Sequence, residues 1–142
     1  MRHTVIIPSY NTLPHLKNTY ESIKRYGGDV DIIIIDDASE DGTAEWLVSL
    51  SDERLNRVLA TERKGHTYWY DEGMRIAETE IVSILHSDMI IGPGYFENML
   101  NKLERGKVVC ATRIEPPIHP AGKEKIVRNF GSEANEFMWN AF

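Results

Sequence analysis

The sequence predicts an α/β protein built on a mainly parallel sheet with helices on both faces. Three observations predict it. Short apolar runs of strand length alternate with longer stretches of helical periodicity, the pattern of repeated βα units joined by right-handed crossovers. One run, Ile32-Ile33-Ile34-Ile35, has no polar alternation and is β-branched throughout, which suits a strand covered on both sides. Polar clusters follow the runs directly, where ligands of open parallel sheets bind.

Taken in order, the strands are expected at Thr4-Val5-Ile6-Ile7, the four isoleucines, Val58-Leu59-Ala60, Ile81-Val82-Ser83-Ile84-Leu85 and Val108-Val109-Cys110-Ala111. Leu13, Leu16, Tyr20 and Ile23 follow helical spacing and close on Gly27-Gly28, a common helix stop. A second helix starts near Asp41 and carries Trp46, Leu47 and Leu50, and a third covers about 67–77. The fourth has Pro93 near its first turn, Tyr95, Phe96, Met99, Leu100 and Leu103 on one face, and Gly106 just past its end. The expected order is βαβαβαβαβ.

A domain of residues 1–113 is expected, with 114–142 as a loop and terminal helix. Glu115-Pro116-Pro117-Ile118-His119-Pro120-Ala121-Gly122 cannot continue a regular element, whereas the stretch from Ser132 reads as a helix ending on Phe137, Met138, Trp139 and Phe142.

With 142 residues, a formal charge of −6 and 27% charged residues, the chain has the composition of a soluble globular protein. The acidic balance argues against nucleic acid as the main partner, since phosphate backbones favour clustered basic surface. No apolar stretch reaches the roughly 20 residues of a membrane span, and no signal-peptide pattern opens the chain, so a cytoplasmic protein is expected. The single cysteine, Cys110, excludes an internal disulfide, and its apolar neighbours predict a buried thiol.

Four polar clusters converge on one sheet edge: Pro8-Ser9-Tyr10-Asn11, Asp36-Asp37-Ala38-Ser39, Thr61-Glu62-Arg63-Lys64-Gly65 and His86-Ser87-Asp88. Adjacent Asp36 and Asp37 point in different directions, so one of the two faces a given ligand. A carboxylate at Asp37 can accept hydrogen bonds from a ribose hydroxyl or a base imide, although Ser39 and Asp41 could instead cap the next helix while the acidic pair solvates the turn. His86 and Asp88, at i and i+2, can reach the same side and hold one divalent cation. Carboxylate favours Mg²⁺ or Mn²⁺, and an imidazole tilts the choice to Mn²⁺. The alternative is a structural histidine and a capping aspartate. Arg63-Lys64-Gly65-His66 gathers cations beside a glycine that lets backbone approach a diphosphate, or else forms a solvated turn. Tyr68-Trp69-Tyr70 reads as helix packing rather than a sugar platform.

Val5-Ile6-Ile7-Pro8-Ser9-Tyr10-Asn11, then Asp36-Asp37-Ala38-Ser39-Glu40-Asp41-Gly42-Thr43, then Ser87-Asp88 before Pro93, resembles the family 2 glycosyltransferases over about residues 5–103. The resemblance implies the GT-A fold, a Rossmann-like sheet, and transfer of a sugar with inversion from a nucleoside diphosphate donor, UDP-sugar first, to a saccharide or lipid-linked acceptor. It implies that Pro8, Tyr10 and Asn11 touch the base, that Asp37 holds the uracil or ribose, and that Asp88 binds a Mn²⁺ or Mg²⁺ ion on the diphosphate. Two positions depart from the family pattern. His86 stands at the first acidic position of the DxD-like motif, and Tyr70-Asp71-Glu72-Gly73 replaces an Arg-Asn-x-Gly segment, leaving Arg63, Lys64 or His66 to supply the cation. The general base of such enzymes lies in an acceptor-binding half that follows, so a truncated chain is expected, with Glu133 and Glu136 as weak candidates for the base.

Two other readings compete. One is a module that holds a nucleotide sugar without transferring it. The other is a phosphoacceptor receiver-like domain, where the acidic pair would follow the first strand instead of the second.

Overall fold

The apolar runs at 4–7 and 32–35 pair as the two central strands of a four-stranded sheet. The computed structural model describes residues 2–111. Strand β1 (His3–Ser9) runs parallel to β2 (Val30–Asp36) from His3 opposite Val30 to Ser9 opposite Asp36. Strand β3 (Leu55–Leu59) adds to the far side of β2, and β4 (Val82–Ile84) to the free side of β1, giving the order β3-β2-β1-β4 with every pairing parallel. The chain moves outward through β1, β2 and β3, then returns across the sheet to β4. The topological switch point therefore falls between β1 and β4.

Helices α1 (Leu13–Tyr26), α2 (Thr43–Ser49), α3 (His66–Ile76) and α4 (Tyr95–Leu100) follow the strands. Side chains alternate across a strand, and this period divides the core in two. Val5, Ile7, Ile32 and Ile34 pack with Leu16, Tyr20 and Ile23 of α1, Leu47 of α2 and Phe96 of α4. Ile6, Ile33 and Ile35 face the other way, where Trp69 and Tyr70 of α3 cover them. Each aliphatic side chain fully buried here contributes about 1.5–3 kcal/mol relative to exposure. Helix α3 comes close to β1 because it presents Gly73: a Cβ there would fall 2.4 Å from Cγ2 of Ile6.

The parallel α/β class holds, with four strands among the described residues instead of five. Val108-Val109-Cys110-Ala111 forms no strand. A strand needs a ladder partner, and an apolar run does not supply one; these residues instead wall an apolar hollow of about 550 Å³ against β4 and α4. Val108 is 90% exposed, and Cys110 is exposed as well, which corrects the expected buried thiol. Strand β3 begins earlier than the run Val58-Leu59-Ala60, and α4 is shorter than its apolar face. Residues 114–142, with the expected loop, terminal helix, Glu133 and Glu136, lie outside the described residues. Among the described residues no helix is long and apolar enough to cross a membrane.

Candidate functional site

At the carboxyl ends of β1, β2 and β4 the loops enclose a cleft of about 150 Å³, lined by Pro8, Ser9, Tyr10, Thr12, Asp37, Arg63, Gly65, His66, Tyr70, His86 and Ser87. The register brings these residues together. Ser9 lies opposite Asp36, so Asp37 emerges just beyond the paired ends, and its amide donates to the Ser9 carbonyl at 2.9 Å. Ile84 lies opposite Ile6, and the Leu85 amide donates to the Ile6 carbonyl at 3.0 Å, which carries His86 and Ser87 to the same level.

The two members of the acidic pair do different things. Asp36 is buried, and its Oδ1 accepts from the Ser39 amide at 3.1 Å, turning the chain after β2. Asp37 reaches across to the loop before α3. Its Oδ1 accepts from the Lys64 amide at 2.7 Å and from Trp69 Nε1 at 2.6 Å, and its Oδ2 accepts from the Gly65 amide at 2.9 Å. Burial opposes the anion, but the donors from Trp69, Lys64 and Gly65, with the Arg63 charge, outweigh it and hold the carboxyl below the usual carboxylate range. A carboxylate has about four acceptor sites. Three are used within the protein, so Asp37 retains capacity for one more donor from the cleft.

Asn11 and Ala38 both have positive φ, 51° and 60°, at the two turns that meet above β1 and β2. Asn11 sits in this seam and not in the cleft lining: its amide donates to Ser39 Oγ at 3.0 Å, and its Oδ1 accepts from the Glu40 amide at 2.8 Å. Asp41 ties the same seam, accepting from the Leu13 amide at the start of α1 and from the amide and hydroxyl of Thr43. Asp41, offered above as an alternative cap, thus accepts from the first amides of two helices, although the N-cap position of α2 itself is Gly42.

The cations divide too. The Arg63 guanidinium stacks over the Tyr10 ring, 4.1 Å from its centroid, so one edge of the cleft is an Arg–Tyr pair from two loops. Lys64 contributes its backbone to Asp37 and pairs its ammonium with Glu62, outside the lining. His86 lines the cleft, whereas Asp88 is exposed at its border, near enough that its charge, after burial, helps raise the Tyr70 hydroxyl pKa. Among the described residues no group of three or more His, Cys, Asp or Glu is arranged to hold a metal ion. Trp69 and Tyr70 pack on the sheet as expected, but each also has a polar task, Trp69 at Asp37 and Tyr70 as a cleft wall.

A further layer lies beneath the cleft. Ser9 Oγ, Thr12 Oγ1 and Ser87 Oγ form a chain of two 2.9 Å hydrogen bonds that bridges the switch point. Thr19 Oγ1 donates to the Ser87 carbonyl at 2.9 Å, and Ser22 Oγ accepts from the Ile91 amide at 3.1 Å. Both hydroxyls are buried on α1, so this helix positions the loop after β4. The sequence reading missed Thr12, Thr19 and Ser22. The available signal was the polar residues on the otherwise apolar, strand-facing side of α1.

The model of the family described as "Glycosyl transferase family 2" matches residues 4–139. The chain belongs to glycosyltransferase family 2. Among its relatives are the "Uncharacterized glycosyltransferase YfnE" of Bacillus subtilis, 33% identical over 78% of this chain and 29% of its own length, and glycosyltransferase GlyG of Streptococcus pneumoniae, 30% identical over 71% of this chain and 35% of its own. Similar solved structures include mannosyltransferase PcManGT from Pyrobaculum calidifontis, in complex with GDP-Man and Mn²⁺, with a TM-score of 0.67 and 28% identity over 79% of this chain and 36% of that one. TarS of S. aureus, residues 1–349, matches with a TM-score of 0.63 at 20% identity, over 71% of this chain and 32% of that one, a likeness of fold. The family 2 chain therefore has the GT-A-type sheet and spans about a third of the length of the relatives it matches.

Proposed function

We propose that this chain forms the donor-binding part of an inverting glycosyltransferase that moves a sugar from a nucleoside diphosphate, a UDP-sugar first, to a hydroxyl acceptor. The observation that carries the reading is the buried, charged Asp37 in a cleft at the switch point, with one acceptor site left over. In a family 2 chain that geometry suits a ribose hydroxyl or base imide. The solved relative in complex with GDP-Man and Mn²⁺ supports the same ligand class.

The residues then take these roles. Tyr10 and Arg63 present a flat cationic edge that stacks on a base, while Pro8 and Gly65 allow close backbone approach. Arg63 and His66 face the negative diphosphate in an otherwise acidic chain. His86 and Asp88 would hold a Mn²⁺ or Mg²⁺ ion through one imidazole and one carboxylate, the imidazole tilting the choice to Mn²⁺. When bound, such an ion supplies positive charge against the leaving diphosphate. The general base is assigned to the acceptor-binding half, with Glu133 and Glu136 the weak candidates within this sequence.

Calorimetry with UDP- and GDP-sugars, with Mn²⁺ and with chelator, tests the reading. Binding that needs Mn²⁺ and weakens at least about tenfold in Asp88→Ala supports it, as expected for a lost charged contact of about 1.4 kcal/mol or more. Metal-dependent binding unchanged in Asp88→Ala removes Asp88 from the site.

A further inference from the structure

Two hydroxyls on the apolar face of α1 bond to the two ends of the turn that carries Asp88. Thr19 and Ser22 are neighbours at i and i+3, fully buried beside Leu16, Tyr20 and Ile23. Burying a hydroxyl is costly unless it is bonded, and an aliphatic residue at either position would carry no such cost. Both are bonded, and to the same loop. Thr19 Oγ1 shares its one proton between the His15 carbonyl at 3.1 Å and the Ser87 carbonyl at 2.9 Å. Ser22 Oγ donates to the Thr19 carbonyl at 2.7 Å and accepts from the Ile91 amide at 3.1 Å. The two loop contacts bracket residues 87–91.

The sheet does not fix that stretch. Strand β4 ends at Ile84, and after the Leu85 amide on the Ile6 carbonyl no main-chain bond joins 86–91 to a strand among the described residues. Asp88 is exposed on the turn, and its carboxylate takes part in no hydrogen bond or ion pair among the described residues. Its position therefore follows the backbone of the turn. We propose that Thr19 and Ser22 are positioning residues, which hold the backbone of 87–91 so that Asp88 stands at the border of the cleft before any ligand arrives. Neither touches the ligand. The inference rests on the proposed donor site for what Asp88 receives there, and partners that orient a metal-binding side chain from outside carry about tenfold or more in affinity.

The full chain and its Thr19→Val, Thr19→Ser and Ser22→Ala variants are compared by amide hydrogen exchange and by calorimetry with UDP and GDP, in Mn²⁺ and in chelator. Asp52→Asn serves as a variant destabilised elsewhere. Loss of the Ser22 acceptor should speed exchange of the Ile91 amide roughly tenfold, beyond any change at the β2 amides. The Mn²⁺-dependent gain in nucleotide affinity should fall about tenfold in Thr19→Val and Ser22→Ala, return in Thr19→Ser, and stay intact in Asp52→Asn. Affinity in chelator should be the same throughout. Should Thr19→Val fail to fold, Ser22→Ala carries both readouts. A merely structural role would lower melting temperatures and leave the gain whole. Faster exchange at 87–91 with an unchanged gain, or exchange that rises equally at β2, overturns the proposal. A parent chain whose nucleotide binding gains nothing from Mn²⁺ removes the metal position from the donor reading instead, and exchange at 87–91 alone then decides whether the α1 hydroxyls hold the turn.

Discussion

Trp69 Nε1 donates to Asp37 Oδ1 at 2.6 Å, so the indole that covers Ile6, Ile33 and Ile35 also fixes the carboxylate at the floor of the cleft. Packing and site are one unit here. Because the same carboxylate receives the Lys64 and Gly65 amides, it also holds the loop that carries Arg63. Trp69→Phe keeps most of the apolar contact and removes the donor. It should destabilise the fold by about 1.5–3 kcal/mol, the range for a hydrogen bond to a charged group, measured by urea unfolding. Nucleotide affinity should fall as well, because the Arg63 loop loses an anchor.

Gly73 is where α3 touches β1. Gly73→Ala places a Cβ against Cγ2 of Ile6 and should cost about 1–3 kcal/mol, although alanine favours helix by itself. Thermal melts of Gly73→Ala, Ile6→Ala and the pair form a cycle. The double variant should lose less than the sum of the singles. Strict additivity would mean that the two positions do not meet.

Asp52 joins α1 to the start of β3. It accepts from Tyr20 Oη at 2.9 Å and from both Nε and Nη2 of Arg54, at 3.1 and 3.0 Å. The Arg54 guanidinium is the main cause that brings the Asp52 carboxyl down to about 2, against a burial penalty. A folded-state pKa below the unfolded value means stability that is present above about pH 4 and lost as pH falls towards 2. The contribution is on the order of 2 kcal/mol. Asp52→Asn should therefore lower stability at pH 7 and close the gap to the parent protein near pH 2, as followed by chemical denaturation across pH.

The hydroxyl chain from Ser9 through Thr12 to Ser87 spans the place where, among the described residues, the sheet order reverses. Thr12→Val preserves shape and removes the central hydroxyl. A loss of about 1–2 kcal/mol in stability is expected, together with faster hydrogen exchange at residues 85–88 and little change at β2. Uniform exchange rates across the sheet would contradict the bridging role.

The legibility of the sequence followed what each segment must satisfy. Strands β1 and β2 are covered on both faces, so their apolar runs are nearly unbroken and easily read. Strand β3 lies at an edge and includes Asn56 and Arg57, and the Arg57 guanidinium donates to the Leu47 and Leu50 carbonyls at the end of α2, a tertiary task that disguised the start of the strand. The run at 108–111 has the apolarity of a strand but no ladder partner among the described residues. At the site, Asp37, Tyr10, Arg63 and His86 were readable because they directly follow strands at one edge. Asn11 and Lys64 were legible as site-region residues but not in their tasks, since a backbone amide offered to Asp37 leaves no mark in side-chain identity. His66 was readable as one of the cations after β3, whereas Tyr70 enters the cleft through the rotation of α3, which packing on Ile6, Ile33 and Ile35 and the Trp69 bond to Asp37 fix.

The central claim is that the cleft around Asp37 receives a nucleoside diphosphate. Amide and indole NMR spectra of the full chain, titrated with UDP- and GDP-sugars in Mg²⁺, test it most directly, because the Trp69 indole and the Gly65 amide both donate to that carboxylate. Saturable shifts of these two signals, together with residues 8–10, and their loss in Arg63→Ala, are the predicted result. Saturable binding that leaves the Trp69 indole and Gly65 amide unmoved, or no binding by either nucleotide, would contradict it.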